Sequence, residues 1–185
     1  MVSLADLWMP ILLSAVVAFI ASTVIHMVLG YHSTDWQRFP NEDGVLEALR
    51  QFGLPPGDYA GPMPKSMKDA GTQEFQERIK KYPRVVMTVQ SARSTMSRSL
   101  ALWSVYLLVV SLFAAYAASI AFAAGTPYMS VFRLTSTVAF AGYSLAVLHD
   151  WIWYSRSASY TIKTMLDGLV YALLTGGVFG WLWPH

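Results

Sequence analysis

The chain has no cysteine, which excludes disulfides, thiolate nucleophiles and cysteine-ligated metal or iron–sulfur sites and leaves its redox compartment open. Charge is scarce as well. Only 13% of its 185 residues are Asp, Glu, Lys or Arg, against about 25% in a soluble domain. The formal net charge of +2 provides no polycationic surface for nucleic acid. Internal repeats and low-complexity tracts are missing too. No catalytic residue and no cofactor is assigned, because no motif for either stands out.

What the chain does contain is apolar: 55% of its residues are hydrophobic, with seven Trp and ten Tyr among them. Four runs, 7–29, 100–124, 131–154 and 165–183, match the roughly 20 residues a helix needs to cross a bilayer core. The third is interrupted by Arg133 and by His149-Asp150, and the fourth carries Asp167, which this reading puts in its first turn. The segment before the first run has no Lys or Arg, and the run is longer than a signal-peptide core, so it reads as an uncleaved anchor.

The predicted fold class is all-α: a polytopic transmembrane four-helix bundle. Residues 1–30 hold the first transmembrane helix, 31–99 a cytoplasmic loop of about 65 residues, and 100–185 a three-helix transmembrane unit with helices at 100–124, 131–154 and 164–183. Ten of the thirteen Lys and Arg lie from Arg38 to Arg98, and Arg156 and Lys163 flank the third turn. Basic residues near helix ends stay on the cytoplasmic side, so both termini are expected to face the periplasm. Tryptophans fit an aromatic belt, with Trp8, Trp181 and Trp183 at the outer ends and Trp36, Trp103, Trp151 and Trp153 at the inner ends.

Within the loop, Asn41 can cap a short helix near 42–52 that Gly53 ends, and a second is expected near 73–81, stopped by Pro83. The stretch 55–64 is rich in Pro and Gly and is expected to be irregular. Residues 84–89 look strand-like, but a lone strand is not stable, so this segment is instead expected to lie along the membrane. With few large apolar side chains, the loop should not build a core of its own.

Small residues recur every four positions on two of the spans. The fourth has Thr164, Gly168, Ala172, Gly176 and Gly180, and the first has Ser14, Ala18, Ser22, His26 and Gly30. Such a face lets helix backbones approach closely in lipid, within one chain or between subunits. The third span offers Thr135, Ala139, Gly142 and Ala146.

Ionisable residues inside a span are costly and mark candidate sites. His26, His149, Asp150 and Asp167 fall at one depth near the inner ends of the helices, and His32 lies just beyond the first. Two histidines and two carboxylates suit Zn²⁺, Mn²⁺ or Fe²⁺, or a proton relay. Snorkelling to water and the dipole of the fourth helix explain the same residues without any function. The paired i,i+3 ligands of di-iron bundles are missing. His26 continues a small-residue stripe, so its ring is expected to face inward and to meet His149, Asp150 or Asp167.

Several strings look familiar as a set: Trp8 through Ala15, Ile25 through Leu29, Pro40 through Asp43, Pro55 through Tyr59, and Asp167 through Leu169 with Gly180 through Pro184. On these the chain resembles, along nearly its whole length, a family of short bacterial membrane proteins to which no activity is attached. The resemblance implies a bacterial inner-membrane setting and carries no site residue. A packing-rich bundle without a motif for turnover points to a non-enzymatic accessory or scaffold protein, as a homo-oligomer or a subunit of a larger membrane complex. Its expected partners are the bilayer and itself or other membrane subunits, with no nucleic acid. The alternative is a small transporter or a metal- or proton-handling protein that uses the His/Asp cluster.

Overall fold

The computed structural model describes residues 2–93 and 95–185. The chain is 69% helical. It divides into two compact units, one formed by 1–37 with 97–185 and the other by 38–96. Among the described residues, four helices are long and apolar enough to cross a membrane: Leu4–Met27, Met96–Ala121, Tyr128–Tyr154 and Ala158–Trp181.

All four, Met96 apart, belong to the first unit. Helix α1 (Trp8–Met27) follows a 3₁₀ turn that Ser3 and Asp6 cap reciprocally. Its exposed face carries Leu12, Val16, Ile20 and Val24, while Ser14 and Ala18 on the other face are fully buried. Large apolar residues outside and small ones inside is the arrangement expected of helices that contact lipid.

The second unit begins with α2 (Glu42–Gln51), capped by Asn41 and followed by Gly53 at φ +58°. Strand β1 (Gly57–Gly61) comes next, then α3 (Met67–Ala70), α4 (Gln73–Lys81) and strand β2 (Val85–Val89). The two short helices fall at 42–51 and 73–81, but the expected irregular stretch is corrected at 57–61, and 85–89 is not a lone strand. Residues 57–61 pair antiparallel with 85–89, Gly57 opposite Val89 and Gly61 opposite Val85. The β-branched residues of β2 provide the propensity that Gly57-Asp58 lacks, and the Thr88 hydroxyl donates to Asp58 Oδ1 at 2.7 Å. Phe75 is the one buried apolar side chain among this unit's described residues.

Helix α5 (Met96–Ala121) returns to the first unit, and the chain turns at Gly125 (φ +76°) into α6 (Tyr128–Phe140). The third span is not a uniform helix. Residues Ala141–Leu145 form a π-helical stretch before α7 (Val147–Tyr154). A π-turn loosens the i→i−4 ladder, and the Tyr106 hydroxyl of α5 donates to the Gly142 carbonyl at 2.5 Å. The last helix, α8 (Ala158–Trp181), is capped by Ser157 and begins six residues before the expected position at 164. Asp167 is therefore its tenth residue, beyond the first turn where the helix dipole would favour a carboxylate.

Two apolar cores each draw on all four spans. One includes Ala18, Leu107, Val110, Ala139, Tyr143 and Tyr171. The other includes Leu7, Ala114, Ala118, Val131, Phe179 and Trp183. Small residues set the spacing between the helices. On α8, Gly168, Ala172 and Gly176 are buried and Gly180 is half-buried. A Cβ on Gly168 would strike Ser144, one on Gly176 would strike Ser136, and one on Gly180 would strike the Tyr128 ring. All three partners lie on the third span of the same chain. On α1, the Ser14 and Ser111 hydroxyls are hydrogen-bonded at 3.0 Å, joining α1 to α5. Trp183 departs from the expected belt: it is buried, and its indole donates to the Ala123 carbonyl at 3.0 Å.

Candidate functional site

The site forms where the chain leaves α1. Val28 and Leu29 still bond back to the Val24 carbonyl, and Gly30 then takes a left-handed conformation at φ +63°. A side chain there would be strained, so glycine is what permits the reversal. The following 3₁₀ turn, Tyr31–Thr34, folds His32 back beside His26, their rings stacked at 4.5 Å and 5° from parallel.

Asp167 of α8 meets both rings. Its Oδ2 lies 2.8 Å from His32 Nε2 and 3.9 Å from His26 Nε2. Ligand atoms of the three residues fall within 4.8 Å of one another. The Asp167 side chain is only 4% exposed, and its Oδ1 has no protein partner. His26 is at the rim, with 48% of its side chain exposed. The expected inward orientation is therefore half met. Its ring faces Asp167, but at 3.9 Å it does not hydrogen-bond to it.

The other nitrogen of each ring fixes the proton. His26 Nδ1 lies 3.0 Å from the Ser22 carbonyl, which can only accept, so Nδ1 carries hydrogen. His32 Nδ1 lies 2.5 Å from Asp35 Oδ2. Burial alone would raise the Asp35 carboxyl. Hydrogen bonds from Lys163 and His32, with the charges of both, outweigh that and hold it below the usual carboxylate range. It is therefore an ionised acceptor at neutral pH. Its stabilising contribution is present above its ordinary value of 3.8 and is lost as the pH falls through the lowered one. Both Nε2 atoms consequently point toward Asp167.

Lys163, one turn before Asp167 on α8, completes the network. Its ammonium donates to the Tyr31 carbonyl at 2.7 Å, to Asp35 Oδ1 at 2.8 Å and to Thr34 Oγ1 at 2.9 Å. Lys163, Asp35, His32 and Asp167 thus form one continuous polar chain from α8 through the 31–35 turn and back to α8.

Of the residues singled out from sequence, His26, His32 and Asp167 come together. His149 and Asp150 do not. Their side chains are 62% and 52% exposed on α7, 3.9 Å from one another, and the His149 ring instead meets Tyr154 at 5.8 Å. Arg133 is exposed. Sequence reasoning missed Asp35 and did not pair Lys163 with it. The available signals were the i,i+3 spacing of His32 and Asp35 and the i,i+4 spacing of Lys163 and Asp167. It also missed an aromatic cluster one turn beyond Asp167 along α8. Tyr171, one turn on, packs edge-on against Tyr143 at 5.8 Å and Trp103 at 6.1 Å. The Tyr143 and Tyr171 hydroxyls, Thr175 Oγ1 and Trp103 Nε1 are buried there.

Comparison of the chain with protein-family models, with curated proteins and with solved structures gives no match. The four long apolar helices are the signature of a membrane protein of several passes.

Proposed function

We propose that this chain is a cation-handling membrane protein, a small transporter whose working site is the cluster of His26, His32 and Asp167. The observation that carries this reading is the convergence of two Nε2 atoms on a buried carboxylate oxygen, at 2.8 and 3.9 Å. Three acceptors so close repel one another unless a cation, a proton or a metal ion, lies among them. The accessory-subunit reading draws less support, because the glycines of α8 are occupied by Ser144, Ser136 and Tyr128 of the same chain.

In this proposal the chain forms a four-helix bundle in a bacterial inner membrane, with 31–99 in the cytoplasm and both termini in the periplasm. The site then opens to the cytoplasm. The twelve-to-one distribution of Lys and Arg supports this orientation. A reporter active only in the periplasm should give signal when fused after His185 and none when inserted near Gly61. The reverse pattern would invert the orientation and put the site on the outer face.

Transport itself is tested in proteoliposomes that hold a pH dye or a zinc dye. An imposed proton or Zn²⁺ gradient should dissipate faster with the native chain than with Asp167→Asn, by about tenfold or more if this carboxylate is obligatory. Equal rates for the native chain, the variant and empty liposomes would end the transporter reading.

A further inference from the structure

We propose that His26 Nε2, His32 Nε2 and an Asp167 oxygen bind a divalent transition-metal cation of the Zn²⁺ class, with Asp35 and the Ser22 carbonyl orienting the two rings. This rests on the cluster being the working site and goes further by naming the cation.

The donor set comes first. Two imidazoles and one carboxylate leave a fourth position open, as in zinc sites that keep a water or an exchangeable ligand. They are borderline ligands that favour Zn²⁺ over Mg²⁺ or Ca²⁺, which take oxygen alone. In a tetrahedral site with bonds of about 2.05 Å, neighbouring donors are about 3.3 Å apart. The two separations from Asp167 Oδ2, 2.8 and 3.9 Å, bracket that value. The two rings are stacked 5° from parallel, so their lone pairs run side by side, and binding one ion requires one ring to tilt toward the other.

The outer partners are more specific than the donors. A histidine that binds metal nearly always gives its second N–H to a carboxylate or a backbone carbonyl, which fixes the tautomer and the direction of the free nitrogen. His32 does the first through Asp35 and His26 the second through Ser22. Two surface histidines have no reason to share both features. Asp167 Oδ1 is also buried without a partner, which leaves this carboxyl an oxygen free to act as a ligand.

Access comes from the rim, where His26 is exposed and a hydrated cation can exchange its waters for ligands one at a time. The Lys163 ammonium does not compete, because its three hydrogens are taken by Tyr31, Thr34 and Asp35.

The test uses the full chain in detergent, with ZnCl₂ as probe and MgCl₂ as control. Titration calorimetry should give one tight Zn²⁺ per chain and no Mg²⁺ at the same concentration. His32→Ala and Asp167→Asn should each weaken Zn²⁺ by about 100-fold or more, and Asp35→Asn by roughly 10- to 100-fold. His149→Ala should leave binding unchanged. Cobalt(II) gives a reading on the unaltered chain: a four-coordinate site produces intense visible absorption, whereas surface adsorption leaves the pale spectrum of the six-coordinate ion. If His32→Ala does not fold, Asp35→Asn and the cobalt spectrum decide. Zn²⁺ no tighter than Mg²⁺, binding lost in His149→Ala, or a pale cobalt spectrum would each overturn the proposal. The two readings fail separately. Proton flux that needs Asp167 with no Zn²⁺ bound removes only the metal, and tight Zn²⁺ with no flux removes only the transporter.

Discussion

Gly176→Ala is expected to destabilise the helical unit by about 1–3 kcal/mol, the range for forcing a group into a packed interface, while Gly177→Ala, one residue on, costs nothing. Alanine is a better helix former than glycine by roughly 1 kcal/mol. Helix propensity alone therefore predicts that both substitutions stabilise α8. Packing separates them. A Cβ on Gly176 would strike the Ser136 side chain and come within 2.9 Å of the Phe132 carbonyl oxygen. Ser136 can rotate, but a backbone carbonyl yields only if α6 moves. A Cβ on Gly177 would meet nothing nearer than the Tyr128 hydroxyl, at 3.8 Å. Thermal unfolding in detergent should put Gly176→Ala below the native chain and Gly177→Ala at or above it. Gly176→Leu should fall further. Equal melting of the two alanine variants would mean that α8 does not lie against α6 in this way.

The contrast between neighbouring glycines marks how far a sequence pattern reaches. A repeat of small residues every four positions is local, and it places Gly168 and Gly176 on a contact face, as the structure does. The spans are legible for a similar reason, because lipid leaves little choice but helices of about 20 apolar residues. The third span shows the limit. Thr135, Ala139, Gly142 and Ala146 read as one continuous stripe, which His149 and Asp150 would extend inward. The π-helical stretch Ala141–Leu145 adds a residue to one turn and rotates the remainder of the span by about 100°. Tyr143 and Ser144 are buried in consequence, whereas Ala146, His149 and Asp150 turn outward. Nothing in the local sequence announces that insertion. His32 is legible as a residue type at the right depth, but its place beside His26 depends on the left-handed turn at Gly30. Asp35 has only its i,i+3 spacing from His32 as a local signal, because its other partner, Lys163, is 128 residues away. The same holds for β1, whose residues resemble a turn until β2 is known to pair with it.

Asp35→Ala is the second large effect expected, and it bears on how the site is held. Asp35 is a junction: one oxygen accepts from Lys163 at 2.8 Å and the other from His32 at 2.5 Å. Both partners are mostly buried, with side chains 19% and 14% exposed. Removing the carboxylate leaves an ammonium and an imidazole N–H facing a gap. Hydrogen bonds that involve a charged group contribute about 1.5–3 kcal/mol each. Lys163 keeps its bonds to Tyr31 and Thr34, so the net loss should be near the lower end of that range, about 2 kcal/mol. Lys163→Met alone should also destabilise, because Asp35 then keeps only His32. The double variant is the informative one. If the two groups act through each other, Asp35→Ala with Lys163→Met should cost less than the sum of the singles by about 1 kcal/mol, as contacting charged partners do. A strictly additive double variant would show that the turn at 31–35 is held by the stacking of Tyr31, His32 and His26 instead. In that event the outer support proposed for the two imidazoles would have to come from Ser22 alone.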